Sequence, residues 1–306
     1  TEALSPTVTK DKMPYVSASY SGHLTDPKKT PYNLFFATDY STNARAALTA
    51  WFDNKWPKHK DYGKRKPRFA NSYMFASPYA SAPIKAIKDQ AAILGFDIGP
   101  DQDVSLFAID TKSQNLSLKE FKPDVVWHGN TTMSVSATLR DAYSLDLGAD
   151  HIVNNWGYDE NLPKMAAKAA EGAMGSAICA FFGEKVPGMD KVVAYAKKYN
   201  PGIPANKRLI RTVQAWGDVL ILREALIRAD KAGKLDGESI LKLGFETMNN
   251  YDIGLGAPPI TFTATDHRVA GTVPIYEIKD GKFLLVEKVD LKSRWPEKWA
   301  KEWIGW

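Results

Sequence analysis

Short apolar runs alternate with longer stretches of helical periodicity through the middle of the chain. The apolar runs cover residues 68–75, 104–109, 124–127 and 151–154. Between them, residues 83–94, 116–121 and 133–145 have the spacing of apolar positions that is typical of helices. Strands that alternate with helices of this length form βαβ units, which build a parallel sheet. The pattern therefore predicts an α/β fold with helices on both faces of a parallel sheet.

The loops that follow the predicted strands carry aromatic and short polar side chains. In a parallel sheet such loops gather at one edge, and ligands bind there. The loops span residues 76–79, 110–112, 128–131 and 155–158. Rings combined with a few small polar groups are typical of a cleft for a small molecule. We therefore expect the functional site at this edge of the sheet.

The flanking segments are predicted to contain long helices but few strands. Helices are expected over residues 6–12, 42–56, 163–171, 189–199, 209–232 and 237–248. Strands are expected at 15–19, 32–38, 173–182 and 259–263, and the Asp280-Gly281 pair predicts a hairpin between strands 273–278 and 282–286. The strands before residue 40 are too few to cover the apolar faces of the long helices. The sequence is therefore expected to begin within a domain.

Charge and hydropathy narrow the classes of function. The 306-residue chain has a net charge of +5, but most basic residues are interleaved with acids. The densest basic run, at residues 58–68, is expected to be a solvated loop rather than a phosphate-binding patch. No apolar run approaches the ~20 residues that cross a bilayer, and the first residues do not resemble a signal peptide. Nucleic acid is not an expected partner.

The sequence lacks the motifs of common catalytic and metal sites. Cys179 is the single cysteine, so it is expected to be a buried small hydrophobe rather than part of a disulfide or metal cluster. The five histidines have no metal-ligand spacing. Dinucleotide-binding, P-loop, serine-hydrolase and zinc-protease motifs are absent. We therefore expect a binding function without metal or cofactor, not catalysis.

Four short motifs occur in a distinctive order along the chain. They are Met-Pro-Tyr-Val-Ser-Ala-Ser-Tyr-Ser at 13–21, Ser-Pro-Tyr-Ala at 77–80, Lys-Pro-Asp-Val-Val at 122–126, and Asp-His-Arg at 266–268 with the hairpin at 275–283. In this order they resemble a serine/threonine loop after a strand, a strand–Tyr-Gly–helix turn, the start of a core strand and a closing hairpin of the type I periplasmic binding proteins. These are the branched-chain amino-acid and aromatic-compound receptors of ABC importers. The resemblance covers the chain to about residue 289.

The resemblance implies two α/β lobes joined by crossover strands, with the ligand held between them. Lobe 1 would comprise residues 1–38 and 182–272, lobe 2 residues 39–181 and 273–292, and residues 293–306 would form a C-terminal tail. The three crossings would fall at 38–40, 178–181 and 271–274. The family has two further βα units before the position that matches Thr1. Lobe 1 is therefore expected to be incomplete at its N-terminal side.

Three residues of the predicted lobe 1 match ligand-binding positions of the family. Ser19 and Ser21 match positions where backbone N–H and hydroxyl groups bind a ligand carboxylate, and a loop of small residues suits that role. An ordinary turn is the alternative for both serines. Arg211 lies near a family position whose side chain enters the cleft, where a guanidinium would bind a carboxylate. A surface arginine is equally consistent with the sequence.

Three further candidates lie in the predicted lobe 2. Tyr79 matches a tyrosine that closes over the ligand, although a packing role is equally consistent. Thr131 matches a cleft-facing position, whereas the neighbouring Thr132 would cap the following helix. Trp156 stands where amino-acid receptors of the family have an acidic residue that pairs with the ligand ammonium. An indole at that position indicates an apolar or aromatic ligand, unless Trp156 belongs to the core. His128 is expected to be structural.

The resemblance implies an extracytoplasmic solute-binding receptor. It would close on a small organic acid, with an aromatic acid favoured over an amino acid, and deliver it to the permease of an ABC importer. The protein would be periplasmic or lipid-anchored outside the cytoplasmic membrane. Two alternatives stay open at this point. One is a ligand-sensing domain of the same fold that signals to a kinase or regulator, and the other is a branched-chain amino-acid receptor.

Overall fold

The computed structural model describes residues Thr1–Trp306 and divides the chain into two compact units. Unit 1 comprises Thr1–Asp39, Ile178–Thr272 and Lys292–Trp306, and unit 2 comprises Tyr40–Ala177 and Val273–Leu291. The chain passes between the units at 39–40, 177–178, 272–273 and 291–292. The fourth passage was not expected, because residues 293–306 were predicted to form a separate tail. They belong to unit 1, where Trp299 and Trp303 are buried.

Most helices and strands follow the order that the sequence predicts, with shifted bounds, but the strand predicted at 259–263 is wrong, since only isolated bridges form at Ile260 and Thr263. The α-helices are α1 (Ser5–Lys10), α2 (Tyr40–Asn54), α3 (Pro78–Ser81), α4 (Ile84–Ile93), α5 (Lys112–Phe121), α6 (Thr132–Ser144), α7 (Leu162–Ala166), α8 (Met189–Tyr199), α9 (Ile210–Lys231), α10 (Gly237–Ser239), α11 (Leu291–Arg294) and α12 (Pro296–Lys301). The strands are β1 (Tyr15–Val16), β2 (Asn33–Leu34), β3 (Arg68–Tyr73), β4 (Asp97–Asp103), β5 (Val125–His128), β6 (Asp150–Val153), β7 (Met174–Ser176), β8 (Thr272–Lys279) and β9 (Lys282–Asp290). None of the helices combines the length and apolar character needed to span a bilayer.

Unit 2 is built on one mostly parallel sheet in the order β4-β3-β5-β6-β7-β8-β9. The strands from β4 to β7 pair in parallel, and β8 is antiparallel to β7. Ala70 of β3 lies in one apolar cluster with Leu118 of α5. Its neighbour Phe69 faces the other side, since side chains alternate along a strand, and its ring meets Phe96, which also contacts Trp51 of α2. The predicted sheet with helices on both faces is confirmed.

The hairpin predicted at the end of the sheet is confirmed. Asp280 and Gly281 connect β8 to β9 and have φ angles of 51° and 70°. Positive φ at both positions is the geometry of the two-residue turn that matches the twist of the flanking strands.

The strand predicted at residues 104–109 is wrong. The fourth strand lies at Asp97–Asp103, at one edge of the sheet, and the apolar residues after it form a loop. Phe107 and Ile109 in that loop are 76% and 84% exposed. An edge strand pairs on one side only and tolerates polar residues. It therefore lacked the apolar run on which the prediction relied.

Unit 1 contains the short parallel pair β1–β2 and the longest helix, α9. Close packing along α9 depends on two glycines. A Cβ at Gly217 would fall 2.9 Å from the ring of Phe36, and one at Gly244 would fall 2.5 Å from the carbonyl oxygen of Ala225. The strands predicted at 15–19, 32–38 and 173–182 are only two or three residues long in the structure. Cys179 is buried, as expected.

Two histidines meet inside the sheet of unit 2. His128 Nε2 and His151 Nδ1, on the adjacent strands β5 and β6, lie 3.0 Å apart. One ring must donate and the other accept, so this contact requires at least one neutral ring. Burial, and then the charge of His151, lower the pKa of His128 well below 6.5. Burial also lowers the pKa of His151 to about 4.

The free energy of unfolding is expected to fall as the pH drops from 6.5 towards about 4. Unfolded histidines take up protons below their ordinary pKa, whereas the folded rings stay neutral until their lower pKa values are reached. Each such histidine adds a slope of up to about 1.4 kcal/mol per pH unit, and the pair adds none at higher pH. Urea melts across this pH range measure the slope. His151→Gln should flatten it, and an unchanged slope in that variant would contradict the role of the pair.

Candidate functional site

Three aromatic side chains meet at the carboxyl edge of the unit 2 sheet. Trp156 Nε1 donates a hydrogen bond of 2.8 Å to the hydroxyl of Tyr40. The rings of Tyr40 and Tyr79 meet edge to face, with centroids 5.5 Å apart and planes at 77°. Tyr40 begins α2, Tyr79 lies in α3 after β3, and Trp156 lies in the loop after β6. We call these three residues the aromatic cluster.

The short helix α3 positions Tyr79. Ser77 caps this helix, because its side chain accepts a hydrogen bond of 3.3 Å from the backbone N–H of Ala80. Pro78 at the first helical position has a φ angle suited to that turn. The hydroxyl of Tyr79 donates a long hydrogen bond of 3.4 Å to the carbonyl oxygen of Asn130. The Ser-Pro-Tyr-Ala turn identified in the sequence therefore orients one ring at the edge of the sheet.

Asn130 connects three loops at this edge. Its side-chain oxygen accepts a hydrogen bond of 2.9 Å from the backbone N–H of Met74. Its amide nitrogen donates to the carbonyl oxygen of Val104 at 2.8 Å and to the hydroxyl of Ser134 at 3.0 Å. The side chain is buried and joins the ends of β3, β4 and β5. The sequence analysis did not select Asn130, although an amide directly after a core strand was the available signal.

The threonines after Asn130 have different roles. Thr131 occupies the N-cap position of α6, partly exposed and without a capping hydrogen bond from its side chain. Thr132 donates from Oγ1 to the Asp159 carboxylate at 2.8 Å and to the carbonyl oxygen of Trp156 at 3.2 Å. The alternative in which Thr132 caps the helix is therefore wrong. Thr132 instead holds the loop that carries Trp156.

Gly157 allows the two loops of this edge to touch. A Cβ at Gly157 would fall 2.7 Å from the carbonyl oxygen of Asn130. Together with the bonds of Thr132, this close approach fixes the backbone on which Trp156 stands. The indole is thus held by its own loop and by the hydroxyl of Tyr40.

The aromatic cluster and Thr131 carry no charged group, whereas the nearby Asp159 carboxylate is bound by Thr132. The aromatic cluster contains three rings, two hydroxyls and one indole N–H, which donates to Tyr40, and Thr131 adds a further hydroxyl. Aromatic rings favour edge-to-face or offset contacts with another ring. The position of Trp156 supplies no carboxylate for an ammonium group. The arrangement is chemically suited to an apolar or aromatic group with a few hydrogen-bonding atoms.

The candidates of unit 1 lie around Tyr20. Tyr20 is fully buried between Ser19 and Ser21, and its ring contacts those of Phe35 and Phe36 edge on. Its hydroxyl accepts a hydrogen bond of 2.5 Å from the side-chain amide of Gln214 on α9.

Gln214 also links Arg211 to this loop. Arg211 Nη1 donates to the side-chain oxygen of Gln214 at 3.2 Å. Ser21 is buried, begins the turn Gly22–Leu24, and its hydroxyl has no hydrogen-bond partner. Ser19 is partly buried. Ser19 and Ser21 thus flank Tyr20 in the chain, and Gln214 links Tyr20 to Arg211; we call Ser19, Ser21 and Arg211 the serine–arginine group.

Sequence reasoning missed the residues that make these connections. Tyr40 of unit 2 and Tyr20 and Gln214 of unit 1 were not candidates. Gln214 lies one helical turn after Arg211, and Tyr20 lies between two candidate serines, so both had a local signal. Tyr40 had none, because Trp156 lies more than a hundred residues further along the chain. No group of three or more metal-ligating side chains converges anywhere in the structure.

Comparison with known proteins identifies the family. A family model described as "Periplasmic binding protein" matches residues 1–282. The chain belongs to the periplasmic binding protein family. The comparison with curated proteins found no match.

Solved structures similar to this binding protein come from several organisms. A substrate-binding protein of an ABC transporter from Aeropyrum pernix has 29% identity and a TM-score of 0.80, covering 96% of this chain and 75% of its own. A branched-chain amino-acid ABC transporter protein from Thermus thermophilus with bound valine has 23% identity and a TM-score of 0.83, with coverages of 96% and 78%. A solute-binding protein from Rhodopseudomonas palustris in complex with 3,4-dihydroxybenzoic acid has 17% identity and a TM-score of 0.71, with coverages of 94% and 75%.

Family membership confirms the resemblance and the two-lobed α/β fold class that the motifs indicated. The protein is a solute-binding receptor of the ABC transporter type, which binds a small molecule and works with a membrane permease. The protein is located outside the cytoplasm. The family is one of substrate-binding proteins.

Proposed function

We propose that this binding protein takes up a small aromatic carboxylic acid and delivers it to an ABC importer without chemically changing it. The aromatic cluster of unit 2 would contact the ring of the ligand. The serine–arginine group of unit 1 carries N–H, hydroxyl and guanidinium donors of the kind that bind a carboxylate. The protein would act in the periplasm or be held by a lipid anchor outside the cytoplasmic membrane.

The observation that supports this ligand class most directly is the environment of Trp156. The indole is held by Tyr40, and the resemblance matches its position to an acidic residue of the family's amino-acid receptors. An α-ammonium group would lose its counter-charge there, and transfer of an unpaired charge out of water is costly. A benzene ring would instead exchange water for contact with Trp156 and Tyr79. The bound 3,4-dihydroxybenzoic acid of the Rhodopseudomonas palustris protein is consistent with this class.

Thermal unfolding with a panel of acids tests the proposal. We expect benzoate and hydroxybenzoates to raise the Tm of the intact protein more than leucine or valine at equal concentration. The reason is that a ligand that binds the folded state stabilises it in proportion to the logarithm of its concentration over its Kd. Cyclohexane carboxylate serves as a control for the aromatic ring. A clearly larger shift with leucine would contradict the assignment of Trp156.

A further inference from the structure

A cleft with a volume of about 780 Å³ lies within unit 1. Its walls come from the turn at residues 26–28, from Asn249 and the segment 259–271, and from the C-terminal residues 292–304. None of the six predicted ligand-binding residues lines it. The cleft therefore requires an explanation of its own.

Both acidic side chains that line the cleft are already paired. The Asp266 carboxylate accepts hydrogen bonds from Arg268 Nε at 3.0 Å and from Nη2 at 2.7 Å. The Asp26 carboxylate accepts the backbone N–H of Lys28 at 3.0 Å and lies 3.6 Å from Nζ of Lys29. The two negative charges are thus compensated within the chain.

The cationic side chains of the cleft are in excess over these acids. Lys28, Lys292 and Lys301 line the cleft and are exposed, and their side-chain amino groups form no hydrogen bond or ion pair in the structure. Three unpaired ammonium groups around one cleft produce a positive electrostatic potential, and the concave shape of the cleft strengthens that potential. An anion that binds there would gain partners that the chain itself does not provide.

A buried guanidinium adds a fixed donor beside these lysines. Arg268 is 5% exposed and lines the cleft, and its guanidinium lies 3.8 Å from the ring centroid of Trp299. Its Nη1 atom is buried and has no hydrogen-bond partner. Such an unsatisfied donor is costly in a folded protein, and an acceptor would remove that cost. The pairing with Asp266 and the stacking on Trp299 hold the guanidinium in place before any ligand arrives.

We propose that this cleft binds a small polyanion, a molecule with two or more carboxylate or phosphate charges. The three unpaired lysines supply charge, Arg268 supplies a fixed donor, and the exposed hydroxyls of Thr263 and Thr265 add hydrogen-bonding groups. The site is separate from the aromatic cluster and does not depend on the proposed solute.

Isothermal titration of the intact protein with citrate, and separately with pyrophosphate, tests the proposal at constant ionic strength. We expect saturable binding of at least one polyanion with a Kd of about 1 mM or lower, and none of acetate. The double variant Lys292→Gln/Lys301→Gln should bind at least about tenfold more weakly. The control Lys191→Gln/Lys197→Gln removes the same charge from exposed positions of α8 and should bind as the wild type does.

Two further outcomes separate this site from the solute site. Trp156→Glu should leave polyanion binding unchanged, because Trp156 belongs to unit 2. A loss of citrate binding in Trp156→Glu, with none in the lysine variant, would assign citrate to the solute site and overturn the proposal. The absence of saturable heat from either polyanion, or equal weakening in both lysine pairs, would also overturn it.

Discussion

Trp156→Glu is expected to weaken the binding of benzoate by about 100-fold or more. The substitution removes the ring face, breaks the 2.8 Å hydrogen bond to Tyr40, and introduces a carboxylate that repels an anionic ligand. Loss of the apolar contact alone corresponds to about 1.5–3 kcal/mol, and the repulsion adds to it. Isothermal titration calorimetry with benzoate measures the change in Kd.

The same variant should also change the selectivity of the protein. The resemblance matches position 156 to an acidic residue of the family's amino-acid receptors, and glutamate would supply such a group for a ligand ammonium. The ratio of benzoate affinity to leucine affinity should therefore fall, since selectivity is a difference between two binding free energies. Thermal shifts with both ligands report this ratio.

Two control variants separate the ring of Trp156 from its charge environment. Trp156→Phe keeps a ring but loses the N–H that Tyr40 accepts, so we expect a loss of about tenfold or less. Tyr143→Glu places the same new charge at a side chain of unit 2 that is 63% exposed and should leave the affinity unchanged. Unaltered benzoate affinity in Trp156→Glu would place the indole outside the binding surface.

Asp124→Ala is expected to lower the free energy of unfolding by about 3 kcal/mol. The Asp124 side chain is 6% exposed and accepts hydrogen bonds from Arg65 Nη1 at 2.6 Å, from Arg65 Nη2 at 2.8 Å and from the backbone N–H of Arg68 at 2.7 Å. The hydrogen bonds to Asp124 raise the pKa of Arg65 above its ordinary value. Alanine would leave the backbone N–H of β3 and much of a guanidinium without acceptors. Urea unfolding followed by circular dichroism measures the loss.

Asp61→Ala is the matched control for this prediction. Asp61 binds the same guanidinium through Nε at 3.0 Å and Nη2 at 2.8 Å, but its side chain is 31% exposed. Exposed ion pairs contribute about 1 kcal/mol or less. We therefore expect a small effect from Asp61→Ala. Equal losses in the two variants would show that burial at Asp124 does not set the strength of this contact.

Asp124 also illustrates how far a local motif predicts structure. The Lys-Pro-Asp-Val-Val motif at 122–126 placed the start of a core strand correctly, and β5 begins at Val125. The motif did not show that Asp124 binds Arg65, which lies in the basic run at 58–68. That run was expected to be a solvated loop, but its Arg65 is anchored by two carboxylates. Pairing between residues so distant in sequence has no local signal.

The edge strand β4 marks another limit of the sequence pattern. Apolar runs identified the central strands because both faces of those strands are covered by helices. β4 has one unpaired side, and its residues are mostly polar. The strand was therefore predicted in the apolar segment after β4, at residues 104–109. The spacing of apolar residues indicates which segments are buried, so it does not identify a strand that is mostly exposed.

The sequence by itself determined the alternation of strands and helices, the hairpin at Asp280-Gly281, the family and the neutral character of position 156. These properties depend on residues close together in the chain or on the order of short motifs. Only the tertiary structure decided that Tyr40 holds Trp156, that Gln214 joins Tyr20 to Arg211, and that residues 292–306 complete unit 1 beside Arg268. Those contacts join segments far apart in the chain, and their partners are selected by packing in three dimensions rather than by any periodicity along the sequence.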